Sequence, residues 1–482
     1  MSGPKKFRCN VCHAFEYNVD AGQPAAGIAP GTLPKDFPDD WHCPVCGADK
    51  TQQQPVPDDS TPATESGARA EGEAPDYPPE WKRAESSVEC RMDDIHKMAV
   101  SGRSLFEPMR TQKKVIGWDD ILIRAAQLAK IPLNEDDEVS TRTVIGPRAQ
   151  HPIVIDTPVY ITHMSFGELS KELKIVLAKG SSAVGTAMGS GEGGILEETI
   201  STAYRYIFEY VTNKYSVTDE NLRRADGVEI KIGQSAKPGM GGSLPGKKVT
   251  PEVAQMRHCS AGVDIISPAA YDDIRNRDDL RRKVSWLRET SGGKPVGIKF
   301  AAGHIEADLE VALYAGPDFI TIDGRPGGTA GALKFVKDAT SVPTLFALAR
   351  ARKYLNAQGV DGVTLVITGG LRTSADFAKA LALGADAVAI GSAALMASAC
   401  QQYRICDTGN CPVGVTTQIP EFRNRVDIDA AAARLENFLR LSTEELKVFA
   451  RLTGNSDVRG LSVEDLVTTN SEISEHTPIE HV

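Results

Sequence analysis

VGIKFA (296–301), FITIDG (319–324), TLVITGG (364–370) and AVAIGS (387–392) decide the fold. Each is a short, mostly β-branched and apolar run, two of the four end on glycine, and helical patterns lie between them. Four earlier runs continue the alternation: VYIT (159–162), VGTAM (184–188), VEIKIG (228–233) and VDIIS (263–267). Eight strands alternating with helices over roughly 240 residues predict a closed parallel (β/α)8 barrel rather than an open doubly wound sheet. In such a barrel the chemistry sits at the C-terminal ends of the strands, where Ser165, Glu192, Gln234, Ser267, Lys299, Gly328, Gly370 and Gly391 fall. Residues 427–452 carry apolar positions at helical spacing and are expected to pack on the barrel.

The 482 residues, 41% of them hydrophobic, are enough for one large core with appendages. A net charge of −10 with scattered basic residues argues against nucleic acid or an anionic membrane as partner. No apolar run reaches membrane-spanning length and MSGPKKF is no secretory leader, so a cytoplasmic protein is expected. The nine cysteines divide into a four, a three and the singles Cys90 and Cys259, a metal-ligand partition rather than a disulfide framework.

Cys9, Cys12, Cys43 and Cys46 form two C-x2-C knuckles able to surround one ion tetrahedrally, iron or zinc. With APGT (29–32) and FPDDWHCPVCGADK (37–50) between and around the knuckles, residues 1–50 resemble rubredoxin, which implies a single redox-active iron; a structural zinc ribbon is the alternative. Residues 51–80 combine proline, acidic and small polar residues, the composition of a flexible linker. Cys400, Cys406 and Cys411 offer three thiolates within twelve residues, a count that fits a three-iron cluster. DGRPGGTAG (323–331), TGGLRT (368–373) and IGSAAL (390–395) place glycine amides and helix N-termini after the last three strands, where a barrel binds phosphate. A literal GxGxxG at Gly189–Gly194 lacks the acidic residue a dinucleotide fold needs.

Eight motifs then carry a close resemblance to the synthase domain of glutamate synthase over residues 85 to 465: THMSFGELS (162–170), GSGEGG (189–194), EIKIGQSAKPGMGGSLPGKKV (229–249), IISPAAYDDI (265–274), GIKFA (297–301), GRPGGTAGA (324–332), TGGLRT (368–373) and CPVGVTTQ (411–418). The resemblance implies FMN, a three-iron four-sulfur cluster, and reduction of the imine formed from 2-oxoglutarate and ammonia. It places the flavin over Met164 and Ser165 with Gln234 and Lys299 at its ring. Its phosphate falls among Gly327, Gly328, Thr329, Gly369, Gly370, Gly391 and Ser392. It makes Lys231, Lys237, Ser243, Arg257 and Ser267 substrate ligands, and Glu192 and Lys299 catalytic. Met240 and Ser243 stand where the family has glutamate and glutamine.

The expected organisation is a rubredoxin-like unit (1–50), a linker (51–80), an N-terminal extension (81–158), a barrel (159–425) with its cluster loop at 400–411, and a helical tail (426–482). Expected partners are a 2-oxoglutarate-like substrate, ammonia or an amine, a separate electron donor, an amidotransferase subunit and further copies of an oligomer. The flavin subunit of N-methylglutamate synthase, and an electron-transfer subunit without turnover, are the rival readings.

Overall fold

Eight parallel strands close into a barrel in a computed structural model that describes residues 5–11, 15–56, 74–78, 81 and 88–482. In chain order they are Val159–Ile161, Ala187–Gly189, Arg205–Tyr210, Gly227–Lys231, Val296–Ala301, Phe319–Asp323, Thr364–Thr368 and Ala387–Ile390. The ring closes where Val388, Ala389 and Ile390 pair with Val159, Tyr160 and Ile161.

Side chains alternate across each strand, so every second residue points into the barrel. The lower interior is apolar: Tyr160, Ile207, Phe319 and Val366 pack there with Ile145, Ile153 and Ile155 of the hairpin that stoppers the bottom. Gly297 makes room for the Phe319 ring, which would stand 2.2 Å from any Cβ at that position. One layer up the interior turns polar, with Lys231 paired in register with Lys299, and Lys299 with Thr321. That change of polarity puts the reactive side chains at the C-terminal rim.

The structure corrects one strand. VDIIS does not enter the barrel; Ile265–Ile266 pairs antiparallel with Ser243–Leu244 outside it, and Ile266 is 79% exposed. The third barrel strand is RYIFEY (205–210) instead. Ser267 accordingly does not stand at a barrel strand end.

The helix Ile428–Leu452 starts on an Asp427 cap, whose carboxylate accepts from Ala430 N at 3.0 Å. It packs against Lys171–Ala183, and Gly180 allows the close approach, because Leu435 leaves no room for a Cβ there. In the N-terminal unit Lys6–Cys9 sits between Glu16–Asn18 and Gln53–Pro55, so the first residues of the acidic stretch continue its sheet. Tyr17 and Phe37 meet edge to face at 4.7 Å over a small core completed by Trp41. The linker expectation for 57–73 and 79–80, and the ligand Cys12, lie outside the described residues. Among the described residues no helix is long and apolar enough to cross a membrane.

Candidate active site

A cavity of about 1420 Å³, counting the open solvent at its mouth, lies over the C-terminal rim of the barrel. Met164, Ser165, Gln234 and Lys299 line it, as do Gly327, Gly328, Thr329, Gly369, Gly370, Gly391 and Ser392. Glu192, Lys231, Lys237 and Ser243 reach it from the second and fourth strand ends, and Cys400, Cys406 and Cys411 close its far side. Arg257 and Ser267 do not line it. Ser267 follows the exposed hairpin and accepts from Asn213 Nδ2 at 2.8 Å. Arg257 is buried behind the wall, where its Nη2 donates to the Phe166 carbonyl at 2.6 Å.

The glycine loops are shaped by close approach. Gly369 has φ +110° and its Cβ would fall 2.0 Å from the Gly324 oxygen; Gly370 has φ +87° and would strike Pro326. Gly328 differs, because a Cβ there meets nothing nearer than Ser392 Oγ at 3.4 Å and the Arg110 amide at 3.7 Å. The open space is therefore bounded by a hydroxyl and a backbone donor. Burial, and after it the Arg110 charge, hold the Arg372 guanidinium below its ordinary pKa. Arg372 lines the cavity beside these loops, and its guanidinium together with the Arg110 backbone amide suits a phosphate dianion. Neither arginine was singled out from sequence, although Arg372 lies within TGGLRT.

At the ends of the second and fourth strands Lys231 Nζ donates to Glu192 Oε2 at 2.6 Å. Burial alone would raise the Glu192 pKa, but the Lys231 charge, then Lys237, the Lys231 hydrogen bond and Arg257 outweigh it and hold the group at about 2. The Lys237 pKa is lowered as well, by burial, with the Glu192 charge opposing. Lys231 and Lys237 thus stand in a buried cluster of mixed charge, with Glu209 acting on both, and their ammonium groups suit a carboxylate ligand.

Beneath this floor lie groups the sequence did not announce. Lys174 is fully buried and donates to the carbonyls of Met164 at 2.8 Å and Ser190 at 2.7 Å. Burial pushes its pKa down to about 7, with the Glu209 charge opposing, and even the neutral amine keeps two hydrogens for those two acceptors. It ties the Met164 segment of THMSFGELS to the GSGEGG turn. Gly191 lets the two backbones touch, since its Cβ would lie 2.3 Å from Met164 C, while Gly189 and Gly194 make room for the His163 ring and Ser216 Oγ. Glu209, on the strand that the sequence reading omitted, lines the cavity with one buried oxygen unpartnered. Asp323 lines it beside Lys299, its pKa raised by burial against the pull of Lys299. A lone lysine on the apolar stripe of KELKIVLAKG, and a carboxylate amid the aromatics of RYIFEY, were the available signals.

Among the described residues only Cys9, Cys43 and Cys46 bring their sulfurs within 4.8 Å of one another, the convergence a single ion requires. Cys400, Cys406 and Cys411 share the cavity wall without that convergence, which suits a cluster giving each thiolate its own iron. Burial pushes the Cys406 thiol up to about 11, so only a cationic centre would hold it as thiolate. The chain just after the three cysteines is stitched to the THMSFGELS segment: Ser170 Oγ donates to Gly414 O at 2.6 Å, and Gln418 Nε2 donates to the carbonyls of Gly167 and Leu169 at 3.0 and 2.9 Å.

Residues 101–456 match the family model described as the conserved region in glutamate synthase, and residues 6–53 match that of rubredoxin. The chain is 37% identical over 399 residues to a glutamate synthase large subunit-like protein of Rhizobium meliloti, covering 79% of this chain and 90% of that one. To an archaeal-type glutamate synthase [NADPH] of Thermotoga neapolitana it is 39% identical, covering 66% and 63%. To the archaeal glutamate synthase [NADPH] of Methanocaldococcus jannaschii it is 35% identical, covering 78% and 79%. Among solved structures it is similar to a flavocytochrome b2 variant with benzoylformate at a TM-score of 0.46, with 17% identity over 72% of this chain and 76% of that one.

Proposed function

The chain belongs to the glutamate synthase family, and on that premise we propose that it is an oxidoreductase carrying out reductive amination of 2-oxoglutarate or a close analogue. FMN would lie over Met164 and Ser165, and a three-iron four-sulfur cluster would take Cys400, Cys406 and Cys411. The observation that carries the reading is that a single cavity is lined by the glycine loops, by Lys231, Lys237 and Lys299, and by all three cysteines.

The chemistry the flavin supplies when bound is hydride delivery to an imine carbon. The chain does the rest. Backbone amides at Gly327, Gly328, Gly370 and Gly391 bind the phosphate, with Arg110 and Arg372 balancing its charge. The Lys299 ammonium favours negative charge on the adjoining ring edge at short range. Lys231 and Lys237 grip the substrate carboxylates, and Ser243 offers a hydroxyl from the cavity wall. Glu192, ionised and bonded to Lys231 in the free site, orients that lysine; a proton transfer to the arriving amine requires it first to let go. Cys9, Cys12, Cys43 and Cys46 would hold the mononuclear iron of an electron-entry unit.

Purified without oxygen, the protein is expected to carry one FMN, about four irons and about three to four labile sulfides per chain. Zinc with no sulfide would overturn the redox reading.

A further inference from the structure

Arg425 joins two parts of the chain that are more than four hundred residues apart. Its Nη1 donates to the Pro412 carbonyl at 3.0 Å and to the Val11 carbonyl at 3.2 Å. Pro412 directly follows Cys411, and Val11 lies between Cys9 and Cys12. The two oxygens are therefore within two hydrogen-bond lengths of each other, and each belongs to a residue beside a cysteine of its own metal-ligating set. A second contact repeats the pattern, because Ile405, the neighbour of Cys406, packs against the small core of Phe7, Cys9, Tyr17, Phe37, Trp41 and Cys43. Arg425 is itself held in place, its guanidinium 4.6 Å from the Phe422 ring centroid and 3.7 Å from Glu421 Oε1.

We infer that Arg425 and Ile405 form a latch that docks the N-terminal four-cysteine unit on the Cys400–Cys411 loop, so that the two thiolate sets sit side by side at a set separation. The inference rests on the reading above only in taking both sets to bind metal. A guanidinium suits the task, since it never deprotonates and its fixed fork of donors can serve two carbonyls at once. The apolar contact of Ile405 adds a component that salt does not screen. Without a latch, encounter of the two sets would depend on the effective concentration that the intervening chain provides. With it, their separation is a property of the fold.

The test uses the full chain with a specific protease site placed between residues 57 and 73. Once the anaerobically purified protein is cut, the N-terminal fragment is expected to co-elute with the barrel in gel filtration. Arg425→Ala and Ile405→Ala should each weaken its retention about tenfold, and the double variant about a hundredfold, as expected for losing one hydrogen-bonding group or one small apolar contact. Flavin, iron and sulfide contents of the barrel fragment should stay unchanged. If Arg425→Ala disturbs the loop, Ile405→Ala with unchanged flavin, iron and sulfide contents still reports on docking. A fragment that leaves the cut wild-type protein freely, or that binds all variants as tightly as wild type, overturns the latch. No turnover is read, so a failed latch and a failed synthase assignment are told apart.

Discussion

Replacing Glu192 by glutamine keeps the shape of the side chain and removes the carboxylate that bonds Lys231 and acts on Lys237 and Arg257. The 2.6 Å bond from Lys231 loses its charged acceptor, and the buried cations keep only the more weakly acting carboxylates such as Glu209. The fall of the Glu192 pKa from 4.5 to about 2 corresponds to about 3 kcal/mol, within the roughly 3–5 kcal/mol typical of breaking a buried ion pair from one side. With a urea m-value of roughly 3 kcal/mol/M or more, the unfolding midpoint should drop by up to about 1 M at pH 7. Because the folded pKa is depressed, the carboxylate's contribution is fully present above pH 4.5 and is lost as pH falls toward 2. The gap between wild type and Glu192→Gln should therefore be constant from pH 7 to about 5 and narrow below. A dicarboxylate bound against Lys231 and Lys237 should restore the variant more than it stabilises wild type. Urea titrations followed by circular dichroism at several pH values check this. Equal midpoints at pH 7, or a gap that persists unchanged to pH 3, would refute the reasoning.

Lys174→Met should lower FMN affinity about ten- to a hundredfold, because it strips two buried carbonyls, those of Met164 and Ser190, of their donor; flavin retention on ultrafiltration measures it. Lys237→Met should weaken 2-oxoglutarate binding by about 2–4 kcal/mol in a flavin-difference titration, as expected for a charge-assisted contact. Arg257→Ala should weaken it by less, since that guanidinium serves the Phe166 carbonyl and not the cavity. Cys406→Ser should remove the labile sulfide while leaving FMN bound, because Lys299 and the glycine loops are carried by barrel strands rather than by the cysteine loop; acid-labile sulfide and flavin assays read the two separately.

The barrel was legible because parallel strands buried on both faces read as apolar runs, and FITIDG, TLVITGG and AVAIGS are such runs with glycine or serine at the rim. The third strand was not, because RYIFEY carries Arg205 and Glu209, and Glu209 points into the polar upper layer where a charge is tolerated. VDIIS resembles a barrel strand because a half-buried two-residue pairing, with Ile265 in and Ile266 out, has the same β-branched composition as a core strand. The glycine loops and the cysteines could be read directly, since both residue types have few reasons to cluster. Lys174, Glu209, Arg110 and Arg372 could not, because their role comes from what the fold places beside them. Arg257 marks the converse case: its motif pointed to the substrate, and its side chain points to a backbone carbonyl behind the wall.

The central claim is that the cavity turns a keto acid and an amine into an amino acid with electrons stored in the protein. The most direct test is anaerobic incubation of the protein, reduced by a chemical reductant, with 2-oxoglutarate and ammonia, and in parallel with methylamine, followed by amino-acid analysis. Glutamate, or N-methylglutamate with methylamine, should form at one molecule per two electrons consumed. A flavin that stays reduced, with no amino acid formed from either amine, would contradict the account.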